Sequence, residues 1–149
     1  MTTYTAATTY RTHAGLIKRF AAYLIDMIII IPIAFVLGAV LGVFLYAAGL
    51  QDDVSVNLCG NIIGLLVSWL YFAGMESSSH QATLGKMALG IKVTDLAGDP
   101  IAFGRASGRY FAKIVSGLLF GIGYLMIAFT ENQQGMHDLM AGCLVVNKE

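Results

Sequence analysis

Arg19 and Asp26 stand seven positions apart at the head of an apolar run from Phe20 to Ala48, and chemistry is sought there first. A carboxylate in such a run must bind a proton, a cation or a polar partner. Left ionised near the middle of a bilayer it costs at least about 2.5–3.5 kcal/mol on insertion scales. Seven helical steps turn the chain through about 700°, so Arg19 and Asp26 share a face, with Tyr23 between them. Along the axis they are about 10.5 Å apart, too far for a direct pair in a regular helix. Arg19 can reach back to the headgroups and serve as an interfacial anchor. Asp26, two turns deeper, must be protonated, face water or meet a cation from another helix. Arg109 and Lys113, at the start of a later apolar stretch, are the candidate partners. The plain alternative is that Asp26 is a packing residue without ion chemistry.

Other polar residues extend the set. Asn57 and Asn61, one helical turn apart in the second apolar run, could reach Asp26, line a polar path or act as packing glue. His137 and Asp138 lie in the polar tail 130–138. Adjacent residues do not share a helical face, and nothing near them has metal-ligand spacing such as HExxH. A capping or turn role fits them better than catalysis. Asp138 could also tie its loop to basic residues elsewhere, and a histidine can titrate near neutral pH. Thr83-Leu-Gly-Lys86 lacks the GxxxxGK[ST] framework of a phosphate loop. With no nucleophile–base set, metal cluster or cofactor loop in view, we expect neither an enzyme nor a bound metal or cofactor.

The elements that must position these residues follow from composition. The chain has 149 residues, 57% hydrophobic and 12% charged. Soluble domains carry about 25% charge, so the expected solvent is a bilayer. Length allows three or four spans and little else. Nine basic residues balance nine acidic ones, which argues against nucleic-acid binding. Cys59 and Cys143 form no CxxC pair. The pattern predicts an all-α polytopic membrane protein with spans at about 20–45, 54–75 and 110–129. A loose N-terminus, 1–13, precedes a membrane domain, 14–149. The first run is too long for the 7–15-residue core of a signal peptide and contains Asp26, so it reads as a retained span, bent or tilted near Pro32.

Ile91–Thr94 and Cys143–Val146 are β-like and could pair outside the membrane. Arg11, Lys18, Arg19, Lys86, Lys92, Arg105 and Arg109 flank the spans on one side, whereas the turn between the first two spans carries Asp52 and Asp53. The positive-inside rule then puts the N-terminus and the 76–109 segment in the cytoplasm. The C-terminus lies outside if the third stretch is straight, and inside if Gly121-Ile-Gly123 folds it back. Glycines at 38/42, 60/64 and 117/121 would let helices pack closely, favouring a homo-oligomer or a membrane partner.

Three ordered motifs resemble the RDD family of small bacterial membrane proteins. They are Ala14 to Asp26, Ala82 to Asp95 with Gly98, Pro100, Arg105 and Arg109 following, and Met136 to Val146. Cys143 stands where the family more usually has Thr. The family takes its name from one arginine and two aspartates. Arg19 and Asp26 match the first two, and Asp138, with Asp95 the weaker claimant, matches the third. The resemblance implies a multi-pass protein of the bacterial inner membrane, in a family with members reported as sodium–proton antiporters and others fused as accessory domains. Two functions are therefore expected: exchange of a monovalent cation for a proton at Asp26, or a non-transporting adaptor.

Overall fold

A computed structural model describes residues 12–49, 52–119 and 121–148. Most of the N-terminus expected to be loose, residues 1–11, lies outside the described residues. Helix α1 runs from Leu16 to Ala47, 32 residues, and passes through Pro32 without ending. Its buried positions, Ala22, Asp26 and Ile30, recur every four residues and form a narrow stripe on the first half. Beyond Ile30 nearly every side chain is apolar and exposed.

Asp52 caps the N-terminus of α2, Asp53–Ser77, by accepting a hydrogen bond from the Ser55 amide at 2.8 Å. Asp53 adds a negative charge in the first turn, where the helix dipole favours it. The helix returns along α1, so that its buried residues Phe72, Ala73 and Glu76 lie beside the first turns of α1. Both helices are long and apolar enough to cross a membrane. The glycine faces expected to bring helices together are open within the chain, since a Cβ at Gly38, Gly42, Gly60 or Gly64 would meet nothing within 4 Å.

A small unit built on two strands sits at one end of this hairpin. Thr83 caps the short helix α3, Leu84–Ala88, which leads through Gly90 into β1, Ile91–Asp95. Strand β1 pairs antiparallel with β2, Cys143–Asn147, in the register Ile91↔Asn147 to Asp95↔Cys143. The two β-like runs therefore do pair, and His13 bridges to Val146 on the free edge of β2. Ala14, Ile91, Val93, Cys143 and Val145 are wholly buried and, with Ala22, Ala73, Ile101 and Ala106, make the core.

The third apolar stretch departs from the expected 110–129 span. Helix α4 begins at Phe103 and ends at Leu118, and α5, Ile122–Leu125, continues into a 3-10 turn, Met126–Ala128. The two pieces are bent by 114°, so a third crossing exists only if this bent pair counts as one. The break comes at Gly121, whose φ of +76° suits glycine and few other residues. The short helix α6, Met136–Ala141, packs against α4 and ends at Gly142 before β2.

Candidate functional site

Asp26 is fully buried, and its carboxylate is occupied by three donors. The Tyr71 hydroxyl and the Gly85 amide donate to Oδ1, each at 2.7 Å, and the Thr83 hydroxyl donates to Oδ2 at 2.6 Å. Two of these donors belong to the start of α3, which lies directly on α1. A Cβ on Gly85 would sit 2.0 Å from the Ala22 carbonyl oxygen, so the close approach requires glycine. Neither Arg109 nor Lys113 is the partner of Asp26, contrary to expectation.

Those two cations belong to a second cluster, built around Glu76 and Asp138. Arg109 donates through Nη1 to Glu76 at 2.5 Å and through Nε to Asp138 at 2.7 Å. Glu76 also accepts from Lys86 and, at 3.3 Å, from Lys113. Asp138 also accepts from Arg19, whose Nε and Nη2 donate to the carbonyls of Ala14 and Gln133 at 2.8 and 2.6 Å. One set of contacts thus ties together α1, α2, α3, α4 and α6. Burial pulls the Lys86 ammonium down to about 7 against the pull of Glu76. Burial alone would raise the Asp138 carboxyl, but Arg109 and Arg19 hold it well below the usual carboxylate range.

His137 is buried against the Tyr124 ring, with centroids 5.0 Å apart, and its Nε2 is 3.5 Å from Asp138 Oδ1. Burial, with Arg109, Lys113 and Arg19 nearby, lowers its pKa to about 3 despite Asp138. Its Nδ1 is buried and has no hydrogen-bond partner among the described residues. Both clusters border a cavity of about 670 Å³, lined by Arg19, Asp26, Lys86, Arg109, Lys113 and His137 among others. Tyr23 also lines it and stacks on Phe72.

The remaining candidates lie apart. Asn57 and Asn61 are exposed, and Asn57 donates to the Asp53 carbonyl of its own helix at 2.7 Å. They sit 14 and 10 residues before Tyr71 on α2, roughly 21 and 15 Å along the axis, so the hairpin carries them away from Asp26. Asp95 closes a turn, its Oδ1 accepting from the amides of Ala97, Gly98 and Asp99 at 2.8–2.9 Å. Those backbone donors lower its pKa, with a further contribution from Arg105 at 3.7 Å.

Sequence reasoning missed Glu76, Lys86, Tyr71, Thr83 and Gly85. Glu76 offered a signal, as an acid in the last turn of an apolar helix with no base beside it in sequence. The role of Thr83 and Gly85 depends on where α3 docks, and local spacing carries no sign of that. Among the described residues no group of acidic, histidine or cysteine side chains could hold a metal ion.

The family model described as "RDD family" matches residues 13–142. The chain is 36% identical over 148 residues to the "Uncharacterized protein YxaI" of Bacillus subtilis (strain 168), covering 91% of this chain and 97% of that one. It is 31% identical over 143 residues to the "Uncharacterized membrane protein YteJ" of the same organism, covering 92% and 82%. No solved structure matches it.

Proposed function

The chain belongs to the RDD family and is an integral membrane protein, and on that footing we propose that it acts as a non-enzymatic membrane adaptor. In this reading the buried charges hold the 76–109 segment and the C-terminal strand on the ends of the spans, presenting them to a membrane partner or a second copy. The carrying observation is that all three donors to Asp26 come from the end of α2 and the start of α3. A carboxylate so engaged has most of its acceptor capacity, three of about four lone-pair sites, taken up by the fold. The lining of the adjoining cavity opposes a cation as well, with four basic side chains to the one carboxylate of Asp26.

The second reading is exchange of a small cation for a proton at Asp26. It is favoured by one observation, that this carboxylate lines the cavity beside hydroxyls able to act as oxygen ligands. Flux in proteoliposomes separates the two. The adaptor reading expects wild-type protein to move no protons above empty vesicles under a sodium or potassium gradient, and expects Asp26→Asn to lower yield and melting temperature. Cation-driven proton movement that Asp26→Asn abolishes in a folded protein would install the antiporter in its place. We place the protein in the bacterial inner membrane with its N-terminus in the cytoplasm. Support comes from Lys18, Arg19, Lys86, Lys92, Arg105 and Lys148 at one end, set against Asp52 and Asp53 at the other.

A further inference from the structure

The cavity between α1, α2, α4 and α5 combines a basic inner wall with an apolar mouth, whichever function the protein serves. Its lining residues Phe20, Tyr23 and Ile114 are also exposed on the outer surface, so it opens sideways where the spans meet lipid. Glu76 and Asp138 stand behind the wall and do not line it. They are shared among Arg19, Lys86, Arg109 and Lys113, so that even with Lys86 half-charged at neutral pH the cations outnumber these two carboxylates. Asp26 adds one further acid, but its oxygens already accept three hydrogen bonds.

Unused donors accompany this excess charge. Arg109 spends Nε and Nη1 on the two acids, and its Nη2 has no acceptor among the described residues. Lys113 makes one long bond to Glu76, at 3.3 Å, and keeps a fifth of its side chain exposed. An anion supplies what these groups lack, and the apolar mouth suits an anion carrying hydrocarbon. Basic pockets between membrane helices take acidic lipid headgroups for the same reason.

The geometry points to this cavity as a binding site for one acidic phospholipid. Its phosphate lies toward Lys113 and Arg109, and an acyl chain leaves past Phe20 and Ile114. The full-length protein in a neutral detergent tests this. It is titrated separately with phosphatidylglycerol, phosphatidylcholine and inorganic phosphate, with retained lipid read by native mass spectrometry and stability by the melting temperature.

The expected result is one retained phosphatidylglycerol per chain, saturable and raising the melting temperature, with phosphatidylcholine and phosphate weaker by about tenfold or more. Lys113→Gln should weaken phosphatidylglycerol retention by about fivefold, while Lys148→Gln, outside the cavity, leaves it unchanged. If Lys113→Gln fails to fold, Ile114→Trp, at the mouth, should lower retention by filling the path of the chain. Equal retention of the two lipids, or retention untouched by the folded variants, overturns the proposal. Inorganic phosphate matching the lipid would also overturn it, reassigning the site to a soluble anion.

Discussion

At the scale of single residues, two aspartates with similar sequence credentials do different work. Asp26 is held by dipoles, from two hydroxyls and an amide, whereas Asp138 is paired with two guanidinium groups. Bonds to a carboxylate are charge-assisted in both places, but the ion pairs of Asp138 must also offset the desolvation of the cations. The pH dependence follows from His137 beside Asp138. Its pKa is about 3 in the folded protein against 6.5 ordinarily, with burial as the largest cause, so below pH 6.5 the unfolded chain binds a proton that the folded one refuses. Stability is therefore full above pH 6.5 and is lost as pH falls toward 3, by about 2 kcal/mol at pH 5. Lys86, whose folded pKa is about 7, is mostly protonated in both states through this window and adds little slope. Melting temperatures between pH 6.5 and 5 should fall for the wild type. They should fall much less for His137→Gln, and an equal fall in the two proteins would remove His137 as the cause.

Among the elements, α3 is the least conspicuous in sequence and the most informative in the fold. It has five residues, far too few to be stable alone, so its position depends on docking. Gly85→Ala would drive a methyl group to within 2.0 Å of the Ala22 carbonyl, a backbone atom that cannot rotate away. The helix must then lift off α1, loosening the Thr83 and Gly85 bonds to Asp26. The expected loss is about 3 kcal/mol or more, from overpacking plus a buried carboxylate left short of donors. Gly104→Ala, on an open face of α4 where a Cβ meets nothing within 4 Å, should be neutral or slightly stabilising. Thermal melts of the two variants check this, and similar effects would mean that α3 does not rest on α1. The contrast also marks what the sequence could carry. The β-like runs Ile91–Thr94 and Cys143–Val146 disclosed β1 and β2, and the two do pair. The partner of Asp26 was illegible, because a helical spacing of seven places residues on one face and says nothing about which other element arrives there.

For the whole molecule, the decisive feature is that the start of α1, β1 and β2 share one end. The Ala14 amide donates to Val145 at 2.8 Å, and the Asn147 amide to Thr12 at 2.9 Å. The first two spans and the break at Gly121 were legible from run length and glycine placement. The depth of Asp26 was not, because composition fixes which residues are apolar but not where hydrocarbon begins. Met27 to Ala47 measures roughly 31 Å as a helix, enough to cross a ~30 Å core. A crossing placed there would bring Asp26 to the edge of the hydrocarbon and the charged cluster toward the interface, where water lowers the cost of burying charge. It would also put Asp52 and the C-terminal strand on opposite faces of the membrane. Single cysteines at Asp52, Lys92 and Lys148, introduced with Cys59→Ser and Cys143→Ser, test the arrangement with an impermeant thiol reagent on intact cells. Asp52→Cys should be labelled, while Lys92→Cys and Lys148→Cys should react only after permeabilisation. Labelling at 148 but not at 92 would separate the two strands across the bilayer, which their hydrogen-bonded register forbids, and would make the third stretch a full crossing.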